Sequence, residues 1–113
     1  MQTNEHTLGG IKTSFEECTQ VLAAIGDETR QMIFLAMIAS GCDGMRVGEI
    51  TVKTHLSRPA VSHHLKILKD SGIVKVYKVA TKNYYYLDPS GWLPKLELLL
   101  GHLREMLDGG SSK

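Results

Sequence analysis

The sequence is poor in the features that mark several whole classes of protein. It has two cysteines, Cys18 and Cys42, which lie far apart and form neither a CxxC pair nor a staple framework. Reduced, partly buried thiols are the plain reading of them, and a redox switch is the sharper one. No apolar stretch approaches the length of a bilayer span, the longest being Met32 to Ala39 and Leu96 to Leu100. The opening ten residues are polar, unlike a secretory signal. A cytoplasmic protein without a membrane partner is the expectation. There is no glycine-rich phosphate loop, no nucleophile elbow and no supported carboxylate pair, and the adjacent Ser62 and His63 have no third triad member. An enzyme is therefore the poorest reading.

Net charge is also nearly absent, at +1, but the mean conceals a division. The stretch from Arg46 to Leu87 carries +6 and the remainder −5. A solvated surface usually mixes both signs, so the basic half is suited to a polyanion. Charge alone does not separate nucleic acid from an acidic protein.

What is present is one domain's worth of alternating helical and extended patterning. With 113 residues and 42% hydrophobic content, the chain can bury one modest core. Residues 1–12 and 108–113 are expected to be flexible, leaving 13–107 as the domain. Thr13 and Ser14, each followed three residues later by Glu16 or Glu17, have capping-box spacing and predict the start of a helix. Phe15, Cys18, Leu22 and Ile25 form its apolar stripe. Asp27 is placed to cap a second helix to about Ser40, with Ile33, Phe34, Met37 and Ile38 inward. A short third helix runs from Val47 or Gly48 to Thr54 with Ile50 inward. After His55-Leu56, Ser57 caps a fourth helix to about Asp70, with Pro59 in its first turn and Val61, Leu65 and Leu68 on the packed face. Ile73 to Lys78 and Asn83 to Leu87, β-branched or aromatic, predict a hairpin. Asp88-Pro89-Ser90 then caps a last helix from about Gly91 to Leu107.

Two helices joined by a tight turn and followed by a basic hairpin form a winged helix-turn-helix: mainly α, in the order α1-α2-α3-α4-β-β-α5. The third helix props the fourth so that its first turns can enter a major groove about 12 Å wide. The outward set is Arg58, Pro59, Ser62, His63 and Lys66. Arg58 and His63 can donate to base acceptors, Ser62 can donate or accept, and Lys66 suits a phosphate. The amides beside Ser57 can also receive a phosphate. Lys75, Lys78, Lys82 and Asn83 make the hairpin a phosphate or minor-groove reader. The plainer alternative is an αα-hairpin whose lysines serve solubility.

Residues from Leu22 to Leu87 resemble the ArsR family of bacterial metal and stress repressors. The resemblance rests on Leu22-Ala-Ala-Ile-Gly-Asp-Glu-Thr-Arg30, Val47-Gly-Glu-Ile50, Leu56-Ser-Arg-Pro-Ala-Val-Ser-His-His-Leu-Lys-Ile-Leu68, Asp70-Ser-Gly-Ile-Val74 and Tyr84-Tyr-Tyr-Leu87. It implies a homodimer on a palindromic duplex operator, base reading by Arg58, Pro59, Ser62 and His63, and repression relieved by an inducer. His55 stands where the family often has glycine, a left-handed position that histidine tolerates better than most residues. Thr54 replaces a larger apolar residue, which implies looser packing there.

The last helix is apolar on more than one face. Trp92, Leu96, Leu99, Leu103 and Met106 form one stripe, with Leu93, Leu100 and Leu107 beside it and Leu98 further round. Pairing this surface with a second copy, helped by Phe15, Cys18 and Leu22, would keep it out of water. Burial within one chain is the alternative. The family's thiolate pair near the third helix is missing. Of its last-helix metal set only His102 and Glu105 match, and two donors do not complete a tetrahedral site. No metal or other cofactor is therefore expected. A metal- or thiol-responsive variant and a protein-interaction module without DNA binding are the alternatives, and an unknown small molecule, or no ligand at all, remains for sensing.

Overall fold

A computed structural model describes residues 5–41 and 43–111. The elements are α1 (Glu5–Ile25), α2 (Glu28–Ala39), α3 (Val47–Thr54), α4 (Arg58–Asp70), β1 (Val74–Val79), β2 (Lys82–Leu87) and α5 (Leu93–Ser111). None of the helices among the described residues is long and apolar enough to cross a membrane.

The core gathers one apolar stripe from each central element. Ile33 and Met37 of α2, Ile50 of α3, and Val61, Leu65 and Leu68 of α4 are buried with Met45, Ile73 and Val74. Val21 and Ala24 close it from the α1 side. Ile38, expected inward, is 54% exposed. One turn of α2 has room for Ile33, Met37 and the half-buried Phe34 against the core, and position 38 lies on the next face round.

The short connections are set by individual residues. Asp27 caps α2 by accepting from the Arg30 amide at 3.0 Å. His55 ends α3 in the left-handed region, at φ 60° and ψ 19°, and its amide donates to Thr51 O at 2.8 Å. Thr54 is buried beside it. Its Oγ1 donates to Ile50 O at 2.7 Å and accepts from the Leu56 amide at 3.4 Å, so a hydroxyl serves the turn where a larger apolar side chain could not. Ser57 Oγ accepts from the Ala60 amide at 3.2 Å and starts α4.

The two strands pair antiparallel from Val74↔Leu87 to Val79↔Lys82 around a two-residue turn, Ala80-Thr81. Ala80 has φ 56° there. The hairpin is tied to the loop before α3 by paired backbone bonds between Met45 and Tyr85, both 2.8 Å. Tyr77 also donates its hydroxyl proton to Asp43 O at 2.6 Å.

Both ends of the domain are more helical than their sequence suggests. Residues 5–12, expected to be flexible, are the first turns of α1; residues 1–4 lie outside the described part. Thr13 and Ser14 are not caps but interior residues, with Thr13 Oγ1 donating to Gly9 O at 3.0 Å and Ser14 buried. Residues 108–111, assigned to a tail, continue α5. Tertiary packing is the reason: among the described residues α5 lies along α1 and on no other helix or strand, so the two long helices support each other. Gly10 permits the close approach, since a Cβ there would stand 3.0 Å from Cε1 of His102. Asp88 forms a turn ahead of α5, its Oδ1 accepting from the Ser90 amide at 3.0 Å and the Ser90 hydroxyl at 2.7 Å, and the helix itself begins at Leu93 rather than at the expected Gly91.

The radius of gyration, 17.6 Å, exceeds the roughly 13 Å of a compact chain of this length, and the extents are 58 × 25 × 22 Å. The α1–α5 pair accounts for this by extending beyond the core.

Because His55 alone turns the chain between α3 and α4, its substitutions should divide by backbone tolerance. His55→Val is expected to lower the urea-unfolding free energy by about 1–2 kcal/mol. His55→Gly should stay within about 1 kcal/mol of wild type.

Candidate nucleic-acid interface

The orientation of α4 follows from its periodicity. Val61, Leu65 and Leu68 are fully buried, so rotation by 100° per residue carries Arg58, Pro59, Ser62, His63 and Lys66 to solvent. All five are exposed together with the cap Ser57, and they form one outward face at the start of the helix. Lys66 is engaged in an exposed i,i+4 ion pair with Asp70, 3.0 Å apart. Such pairs contribute little, so a phosphate can compete for the ammonium.

The hairpin brings part of its predicted set together. Lys78 and Asn83 face each other across the ladder, and Lys82 is paired with Val79 at the tip. Side chains alternate along a strand, so Lys78 and Asn83 occupy one face of the ribbon and Lys82 the other. Lys75 stands apart. It is at the base of the hairpin opposite Tyr86, and its ammonium lies 3.3 Å from Asp88. The Ser90 hydrogen bonds first, and then Lys75, hold the Asp88 carboxyl below its ordinary value.

Three residues on or beside α4 that the sequence does not assign to the interface are Arg46, His64 and Arg30. Arg46 precedes α3, and its amide donates to Glu49 Oε1 at 2.9 Å. Arg46 and Arg58 line one concavity of about 350 Å³ with Gly48, Glu49 and Val52, which places a second exposed guanidinium beside the first turn of α4. The local signal is Glu49 three residues after Arg46, the capping-box spacing. His64 is half-buried, with its Nδ1 3.3 Å from Arg30 Nη1 and its ring in edge contact with His63 at 5.2 Å. Burial first, and the charges of Arg30 and His63, hold His64 below its ordinary 6.5 against the opposing pull of Asp27. No local signal could reveal Arg30 and His64 as neighbours, because they are 34 positions apart.

An uncharacterized HTH-type transcriptional regulator of Methanocaldococcus jannaschii is 40% identical over 73 residues, covering 65% of this chain and 80% of that protein. The model of the bacterial regulatory protein family arsR matches residues 27–76. The chain belongs to the arsR family. The transcriptional repressor SdpR of Bacillus subtilis is 35% identical over 68 residues, 60% of this chain and 72% of that one. In fold, an ArsR-like transcriptional regulator from Rhodococcus superposes with a TM-score of 0.74 over 88% of both chains at 24% identity. An arsR-family member is a helix-turn-helix transcriptional regulator, and the winged arrangement of α3, α4 and the hairpin is the one this family shares.

The residues assigned to an arsR-type dimer surface divide into three groups by exposure. Cys18, 1% exposed, and Leu99 are buried within the chain between α1 and α5. Trp92, Leu96, Leu103 and Met106 are half-buried. Phe15, Leu22 and Leu100 are exposed, and so are Leu8, Leu93 and Leu107, which the sequence reading did not assign to the surface or placed only beside it. Cys42 lies outside the described residues. His102 packs its ring over Gly10, and Glu105 is exposed. Among the described residues no three His, Cys, Asp or Glu side chains gather to hold a metal.

Two measurements check this geometry. Gly44 has φ 91°, and a Cβ there would lie 3.3 Å from Tyr77 Cε1, Tyr84 Cβ and Tyr85 O. Gly44→Ala should therefore cost about 1–3 kcal/mol of stability and speed amide exchange at Met45 and Tyr85, where the hairpin is tied. His64, with a folded-state value below its unfolded one, contributes fully above pH 6.5, and that contribution is lost as pH falls through the folded value. Unfolding free energy should accordingly decline below pH 6.5, and His64→Asn should remove that part of the slope.

Proposed function

We propose that this chain is a cytoplasmic homodimeric repressor that binds a palindromic duplex operator and is released by an unidentified inducer. The observation that carries the DNA-binding part is the outward face of α4. Arg58, Ser62 and His63 are exposed above three fully buried residues, so the helix can enter a major groove without the core rearranging. Lys78, Lys82 and Asn83 at the hairpin tip supply phosphate or minor-groove contacts, and Arg46 adds a phosphate contact beside Arg58. Lys75, bound to Asp88 at the hairpin base, has no part in this reading.

The dimer is supported by two exposed seams of seven-residue period. Leu8, Phe15 and Leu22 repeat along α1, and Leu93, Leu100 and Leu107 along α5. This is the spacing at which helices pack against helices over several turns. Left in water, the seams would form a long apolar patch of the kind monomers avoid. A two-fold pair places the recognition helices about one DNA turn, roughly 34 Å, apart. Similarity to a protein named a transcriptional repressor favours repression over activation. The reading requires no metal, since His102 and Glu105 supply only two donors and His102 is packed against α1.

Operator sequences are selected from a random duplex pool, and affinity is then compared between selected and random duplex. Arg58→Ala and His63→Ala should each cost about 1–3 kcal/mol on the selected duplex alone. Lys82→Ala should weaken both duplexes equally and reduce the slope of log affinity against log salt by about 0.9. Equal losses on both duplexes for Arg58→Ala would overturn the base-reading role. In sedimentation equilibrium the wild-type protein should run at twice the chain mass and Leu100→Glu at the chain mass. A monomeric wild type at micromolar concentration would remove the dimer.

A further inference from the structure

The last carbonyls of a helix have no partner within it. At the end of α1 two of them are taken by one side chain from the first turn of α2. Arg30 donates from Nε to Ala24 O at 2.7 Å and from Nη2 to Ala23 O at 3.3 Å. Its remaining arm, Nη1, meets Nδ1 of His64 on α4 at 3.3 Å. The backbone of Arg30 is itself fixed, since its amide donates to Asp27 Oδ2 at 3.0 Å. One rigid planar fork thus joins three helices.

The positions it joins are functionally distant. Ala23 and Ala24 directly follow Leu22, the last residue of the exposed α1 seam, while His64 directly follows His63 on the outward face of α4. Arg30 is half-buried and belongs to neither the outward face of α4 nor the hairpin. We infer that Arg30 is a positioning residue for operator recognition, fixing the orientation of α4 relative to the dimer arm through His64 without touching DNA. This rests on the dimeric DNA-binding reading above. In a two-fold dimer the disposition of both recognition helices is set from the shared arms, so a contact that ties arm to helix governs whether both half-sites are met together. Lysine cannot replace it, because a single ammonium nitrogen does not present the fork that reaches two carbonyls and a ring nitrogen at once.

The test uses the full chain with selected and random duplexes, each over a range of salt. Arg30→Lys and His64→Leu should each lower affinity for the selected duplex by about tenfold or more, within the range of coupled contacts. Both should leave random-duplex affinity and the salt slope unchanged. His64→Asn, which retains an acceptor on a short side chain, should recover most of the loss. The double variant Arg30→Lys with His64→Leu should lose no more than either single one. Circular dichroism at the assay temperature checks that each variant is folded, and the His64 pair carries the test if Arg30→Lys is not. A salt slope reduced by about 0.9 would show Arg30 on a phosphate and overturn the inference. Additive losses in the double variant, or selected-duplex affinity unaltered by Arg30→Lys and His64→Leu, would overturn it as well. A wild-type chain with no preference for any selected duplex sinks the regulatory reading and this inference together. A preference that survives both substitutions sinks the inference alone.

Discussion

The burial of Val61, Leu65 and Leu68 is the constraint on which the rest of the molecule depends. These three side chains lock the rotation of α4 about its own axis, and that rotation decides which residues meet solvent. Ile33, Ile50 and Ile73 are fully buried in the same cluster, so the orientation of α4 is shared among three other segments rather than held by one. Losing a methylene at such a site costs stability and, in a close-packed interior, also shifts the neighbours. The core therefore fixes the backbone that carries the exposed face.

A second level of organisation lies outside the core. The paired α1 and α5 form an arm that buries its inner residues, Ile11, Cys18 and Leu99, and leaves outer apolar rows exposed. Two surfaces of different chemistry result. One is apolar and built on long helices, and the other is cationic and built on the start of α4 and the hairpin tip. Arg30 stands between them, bonded to the end of α1 and to the middle of α4.

The central elements were legible because their signals are local. Asp27 and Ser57 are caps with the side-chain oxygen three residues from the amide it serves, and the four-and-three spacing of Val61, Leu65 and Leu68 has one helical reading. The outer turns of α1 and α5 were not legible, because Gly9, Gly10, Gly109 and Gly110 argue against helix when taken alone. Only packing against a second helix overrides them, and packing is a property of the pair. Cys18 and Leu99 were assigned to the outer surface since a stripe on one helix does not reveal which neighbour covers it. Lys75 reads like Lys78 and Lys82 because strand residues count alike until the register is known; opposite Tyr86, it belongs to the base of the hairpin. The contact between Arg30 and His64 was hidden by its sequence separation. Arg58, Pro59, Ser62, His63, Lys78, Lys82 and Asn83 are exposed at the start of α4 and the end of the hairpin, as helical and strand periodicity predict.

The ion pair between Lys66 and Asp70 has a consequence for discrimination. The pair is exposed and weak, so the ammonium can exchange its carboxylate for a phosphate, and Asp70 then stays beside the double helix as a negative charge without its partner. Adhesion to arbitrary sequence, which relies on displacing the small cations condensed along the duplex, therefore gains less from Lys66 than from a lysine with no such neighbour. More of the choice among sites is left to the side chains nearer the N-terminus of α4.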